Sequence, residues 1–167
     1  MVSFSKFRAT KISSSGSKRL WLDESGRGAG AVVSAVLATL GAAVATYLTI
    51  VHYRSGLLIC GVGDCATVQQ SSYAEIAGIP VAALGLAMYL AVLALGALRW
   101  LVPTTRDIAT MATFSIVLAG TLYAAYLTYV EIWVIEAICQ WCVTSAILTL
   151  GLLITEGFAV RNLLREP

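Results

Sequence analysis

Four long stretches of this chain carry no charged residue and no histidine: Gly28–Val51, Ile76–Leu98, Ile108–Val130 and Ala137–Thr155. They run 24, 23, 23 and 19 residues. A helix rises only about 1.5 Å per residue, so about 20 mostly apolar residues cross a hydrocarbon core. A helix also satisfies its own backbone N–H and C=O groups, which lipid cannot do. The pattern predicts an all-α integral membrane protein built as a four-transmembrane-helix bundle. The spans are expected at about 28–51, 79–98, 108–130 and 137–157, within a membrane domain covering 28–160. Signal-peptide cores run about 7–15 apolar residues, so the first stretch reads as an uncleaved helix.

Between the spans the pattern changes. Ser55 to Asp64 contains Gly56, Gly61 and Gly63, which favour a mobile arm. From Ala66 to Ala77, apolar positions mix with Gln69, Gln70, Ser71, Ser72 and Glu75, predicting a short extracytoplasmic surface helix between the first two spans. Gly78 and Pro80 mark its end and the start of the second span. The connection from Arg99 to Asp107, containing Pro103, is too short to do more than join two spans. The last connection, Tyr129 to Glu136, carries Glu131, Trp133 and Glu136, and Tyr129 and Trp133 suit an interfacial aromatic belt. Residues 1–27, basic and rich in serine, read as a disordered tail, and 161–167 as a second tail.

Composition agrees with this layout. The chain is 59% apolar and 12% charged, against roughly 45–50% and about 25% in soluble domains. A net charge of +2 gives no reason to expect a nucleic-acid partner. The distribution of charge is more informative. Ten of the eleven Lys and Arg residues fall on one side of the predicted spans, and only Arg54 on the other. Positive flanks are retained in the cytoplasm, so both termini are expected there, with membrane lipid around the spans. The four cysteines, Cys60, Cys65, Cys139 and Cys142, then lie at the extracytoplasmic face, where disulfide chemistry is favoured.

Cys139-Gln140-Trp141-Cys142 opens the fourth span, and residues three apart on a helix are close enough to join. The helix N-terminus favours the thiolate, and Cys139 is expected nearer water, with Cys142 a turn deeper and facing the interior. Cys60 and Cys65, on a glycine-containing loop, can reach outward to a soluble partner and inward to the second pair. Thiol–disulfide exchange in series needs such an arm. Static staples, a four-thiolate zinc site and a channel or carrier with incidental cysteines are the alternatives. A disulfide closing so short a loop contributes little stability, an oxidising compartment disfavours zinc, and the uncharged stretches lack the ionisable residues of transport pathways. No metal is expected. A relay also needs a terminal acceptor. The chain has no Cys-x-x-Cys-His, no Gly-x-Gly-x-x-Gly and one histidine, leaving a lipid-soluble quinone, ubiquinone or menaquinone, facing Cys142. His52, at the external end of the first span, is the candidate hydrogen-bond donor to a quinone carbonyl.

In these blocks the chain resembles the vitamin K epoxide reductase family, in its bacterial, disulfide-forming branch. The resemblance rests on the loop pair Cys60 and Cys65, the run Cys65-Ala-Thr-Val-Gln-Gln-Ser-Ser-Tyr-Ala followed by Gly78-Ile-Pro-Val and Gly85, and Cys139-Gln-Trp-Cys142, over about residues 30–157. It implies a quinone-dependent thiol–disulfide oxidoreductase of the bacterial cytoplasmic membrane, which reoxidises a separate thioredoxin-fold (DsbA-like) disulfide donor. By the resemblance, Cys60 takes the mixed disulfide, Cys65 attacks the inner pair through Cys139, and Cys142 passes electrons to the quinone. Ser71 takes the place of a Ser/Thr near the relay, with Ser72 adjacent. The chain departs from the animal enzymes at Ala146, where they carry a tyrosine, and it matches members without a fused thioredoxin-like domain. The alternative from another class is a non-catalytic membrane scaffold with structural disulfides.

Overall fold

Ala38, Gly41 and Ala45 recur at helical spacing along the first span, giving it a face with almost no side-chain bulk. The computed structural model, which describes residues 14–54 and 58–165 with side chains from residue 28 onward, turns that face inward. Helix α1 (Ser14–Tyr53) approaches α3 (Val81–Leu101) so closely that a Cβ on Gly41 would overlap the Tyr89 ring. The Tyr89 hydroxyl crosses to the fourth spanning helix, α5 (Gln140–Leu163), meeting Ser145 Oγ at 3.0 Å and Thr149 Oγ1 at 2.8 Å. Helix α4 (Arg106–Val130) completes a ring in which α1 and α4 each pack against α3 and α5. Ala38, Ala45, Tyr89, Val92, Val117 and Leu152 form the buried centre.

Four helical segments, Gly28–Tyr53, Val81–Leu101, Pro103–Ile135 and Gln140–Leu163, are long and apolar enough to cross a membrane. Large apolar side chains such as Leu122, Ile147 and Phe158 face outward, as a lipid-embedded bundle requires. The expected bundle is therefore what the chain forms.

Three local expectations need correction. First, α1 begins at Ser14, so residues 14–27 continue the helix instead of forming a disordered tail; 1–13 lie outside the described residues. Extending an existing helix adds one hydrogen bond per residue without a new nucleation cost, and no proline intervenes. Second, the surface helix is only α2 (Cys65–Gln69), far shorter than 66–77. Ser71 Oγ donates to Val68 O at 2.7 Å, and the chain then folds into a hairpin of β1 (Glu75–Ile76) and β2 (Ile79–Pro80), with Glu75 opposite Pro80. Its two turn residues, Ala77 and Gly78, take φ of 51° and 78°. Two-residue hairpin turns need that sign, which glycine adopts freely and alanine does not signal. Third, the spans do contain ionisable residues. Helix α5 runs past Thr155, and Glu156, 2% exposed, pairs with Arg99 at 2.8 Å and accepts a 2.6 Å hydrogen bond from Ser34 Oγ.

That polar lock ties α1, α3 and α5 together about 21 Å along α5 from Cys142, at 1.5 Å per residue. Breaking a buried ion pair leaves one charge uncompensated at a cost of about 3–5 kcal/mol. Glu156→Ala is therefore expected to lower the unfolding temperature in detergent by several degrees, and Arg99→Ala on top of it to restore part of the loss. Thermal unfolding of the three variants checks this.

Candidate functional site

Gly63 and Gln140 determine how the loop meets the helix. Gly63 sits at φ +87°, a conformation L side chains rarely adopt, and a Cβ there would overlap the Ile138 carbonyl. This close approach lets Gly63 form an antiparallel bridge with Cys139, and Asp64 N–H donates to Ile138 O at 3.0 Å. The two residues between the inner cysteines fasten the same loop. Gln140 Oε1 accepts the Val62 N–H at 3.0 Å, and Trp141 Nε1–H donates to Ile59 O at 2.9 Å. Tyr47 of α1 closes the arrangement, its hydroxyl accepting Ile59 N–H at 2.8 Å and its ring lying 4.9 Å from that of Trp141. The arm expected to be mobile is thus docked over residues 59–64.

Asp64 caps α2, accepting from the Thr67 hydroxyl at 2.6 Å and from Thr67 N–H at 3.1 Å. The hydroxyl bond, helped by the backbone bond, holds the Asp64 carboxyl below its usual range. The cap fixes Cys65 as the first residue of α2, fully buried. Cys60 and Cys65 form a disulfide, with Cα atoms 6.0 Å apart, while Cys139 and Cys142 are free thiols. All four cysteines belong to one apolar cluster with Val68, Leu58, Ile135 and Trp141. A four-thiolate zinc site is not what these residues form, since two of the sulfurs are bonded to each other.

The inner pair differs from expectation. Cys139 precedes α5 in an extended conformation and is completely buried, whereas Cys142 is partly accessible. The loop bridge covers Cys139, which is why it does not face water. Its thiol is nonetheless acidic, lowered to about 7 by the hydrogen bond from the Cys142 thiol, with help from the Cys142 and Trp141 N–H groups and against the cost of burial.

Glu131 was read from the sequence as a loop charge. The structure instead continues α4 through a π-helical turn, Glu131–Ile135, closed by Glu136 at φ 55°. The wider turn folds Glu131 inward, 4% exposed, with Oε2 accepting the Cys139 N–H at 3.1 Å and Cys142 sharing the same cavity wall. Trp133 and Tyr129 point outward, as interfacial anchors do. The only signal for Glu131 was its place at the end of an apolar span.

Below the cluster lies a cavity of about 460 Å³ lined by all four spanning helices and α2. Its wall is mostly apolar, from Leu48, Met88, Ile116 and Leu127, with Ser71, Tyr73, Glu131 and Cys142 among its polar contributors. Of the four cysteines only Cys142 lines it. Ser71 does so as well, but His52 does not: its Nε2 lies 2.8 Å from Glu75 Oε1, joining α1 to the hairpin. Ala146 also lines the cavity, one turn below Cys142.

Two outcomes follow from this geometry. Gly63→Ala is expected to lift the loop and raise alkylation of Cys139 in the reduced protein at least tenfold, read by mass spectrometry of alkylated peptides. In native reduced protein, ultraviolet thiolate absorbance should rise through pH about 7 as Cys139 loses its proton. Cys142→Ala removes the stabilising S–H, so the same transition should move to higher pH. Against models of protein families, the Vitamin K epoxide reductase family matches residues 32–156 of the chain.

Proposed function

The chain belongs to the vitamin K epoxide reductase family, multi-pass membrane thiol–disulfide oxidoreductases, and on that premise we propose that it reoxidises a separate thioredoxin-fold, DsbA-like protein and delivers the electrons to a membrane quinone. The observation that carries this reading is the placement of both cysteine pairs in one buried cluster, with Cys142 alone opening on the apolar cavity. The reaction supports disulfide formation outside the cytoplasm. The ten-to-one distribution of Lys and Arg favours cytoplasmic termini and an extracytoplasmic cysteine cluster in a bacterial cytoplasmic membrane.

A cavity of about 460 Å³ falls within the usual 300–1,000 Å³ of ligand sites, and its apolar wall with a few polar groups fits a flat, lipid-soluble ring. Ser71, Tyr73 and Cys142 would hold that ring. A bound quinone supplies a two-electron acceptor that leaves as the quinol.

The residues of the chain do the rest. Cys60, partly exposed, receives the partner's thiolate and forms the mixed disulfide, releasing Cys65. Cys65, inside the cluster, attacks Cys139 of an inner disulfide, and Cys142 is freed toward the cavity. When the partner has been released, Cys60 attacks Cys65 and restores the loop disulfide, with Cys139 as the leaving group. An acidic thiol leaves faster, which suits the lowered pKa of Cys139. An oxidised loop pair above a reduced inner pair is the state in which electrons have reached the inner thiols.

Cys139→Ala and Cys142→Ala should each abolish quinone reduction by a reduced thioredoxin-fold partner, and full activity in both would defeat the reading. Cys60→Ala should block turnover of the partner while DTT still reduces the inner pair. An impermeant maleimide should label Cys60 or Cys65 in intact, reduced cells. Disulfides that resist mild dithiol and ignore added quinone would indicate a structural scaffold instead.

A further inference from the structure

The inner pair must gain and lose protons as well as electrons, in a cluster where Cys139 is fully buried and Cys142 partly so. Glu131 lies beside this pair: its Oε2 accepts the Cys139 backbone N–H at 3.1 Å, and its carboxyl and Cys142 both line the cavity. None of the described ion pairs involves Glu131, since Arg99 is engaged by Glu156 at the opposite end and His52 by Glu75. A carboxylate and a second thiolate side by side in this buried corner would repel each other strongly. One mobile proton between them removes the conflict.

We propose that Glu131 is a catalytic proton carrier, exchanging one proton with Cys142 in opposite phase to the redox state of the inner pair. The inference rests on the relay described above. In the charging step, the Cys65 thiolate attacks Cys139. The Cys139–Cys142 bond breaks, a Cys65–Cys139 bond forms, and Cys142 takes the electron pair together with the Glu131 proton. In the discharging step, Cys142 returns that proton to Glu131 as the Cys139–Cys142 bond reforms. Two electrons leave to an acceptor of the quinone class, which draws its two protons from water. The site therefore never holds the Glu131 carboxylate and the Cys142 thiolate together.

The proton count makes this measurable without any quinone. When DTT reduces the inner disulfide of the full chain above pH 7, Cys139 ends as a thiolate and Cys142 as a thiol. If Glu131 supplies the Cys142 proton, both DTT protons are released to solvent; if water supplies it, only one is. Each released proton makes the equilibrium about tenfold more favourable per pH unit. The other groups facing Glu131 do not interfere. Ser71, Tyr73 and Tyr123, which line the same cavity, carry hydroxyls and add no carboxylate or thiol to it.

The experiment equilibrates quinone-stripped protein with DTT buffers between pH 7 and 8.5 and counts each cysteine by mass-tag alkylation. The native inner pair is expected to become about 100-fold easier to reduce per pH unit, and Glu131→Gln and Glu131→Ala only about tenfold. Glutamine retains the acceptor for Cys139 N–H, so a residue that merely positions the turn would show the native slope in Glu131→Gln. That result, or a tenfold slope in the native chain, overturns the proposal. An altered equilibrium of the Cys60–Cys65 pair in Glu131→Gln would mark a general structural effect and also overturn it. An inner pair that DTT never reduces in the native chain would overturn the relay itself, and this inference with it.

Discussion

Docking of the external loop against the strand-like entry to α5 is the constraint on which the site depends. The Gly63–Cys139 bridge is a contact of backbone with backbone, and it brings two cysteine pairs from distant parts of the sequence into one apolar cluster. It tolerates no side chain at Gly63. Gln140 and Trp141, which look like spacers in the Cys-x-x-Cys motif, reinforce it with hydrogen bonds to Val62 and Ile59. The motif thus supplies its own dock for the neighbouring pair. The proposed exchange between the pairs requires such a placement, because a thiolate reacts only with a sulfur it can reach.

The energetic problem of the site is a balance between dryness and charge. Burial disfavours thiolates, yet the Cys142 S–H, helped by the N–H groups of the first turn of α5, lowers the Cys139 thiol below its ordinary range. Two sulfurs three residues apart therefore differ in kind: one is acidic and covered, the other opens on the cavity. The difference gives the pair a direction. The π-helical turn adds a carboxyl to the same corner, and such turns are common where function requires an irregular placement.

The spans were legible because lipid imposes a length and forbids most charges, and both appear directly in the order of residues. The four cysteines were legible for the same kind of reason, since sulfur chemistry depends on spacing. Less local features were hidden. Glu131 and Glu156 fell outside the uncharged stretches, and nothing in the sequence showed that α4 would continue through a wider turn or that α5 would run to Leu163. The hairpin escaped because it turns on Ala77, a residue with no preference for positive φ. The burial of Cys139 depends on a loop more than seventy residues earlier, so helical position alone suggested the reverse. His52 sat at the right depth for a cavity ligand, but its ring is drawn to Glu75.

Tyr89 marks the level at which the bundle becomes solid. Its ring fills the space left by Gly41, its hydroxyl is held by Ser145 and Thr149, and Val92, Val117 and Leu152 pack around it without lining the cavity. Farther along, Ser34, Arg99 and Glu156 close the remaining gap. The lining of the cavity consequently stops at this level. Packed side chains thus stand between the cysteine cluster and the Arg99–Glu156 pair, so a change at one end of the bundle need not reach the other.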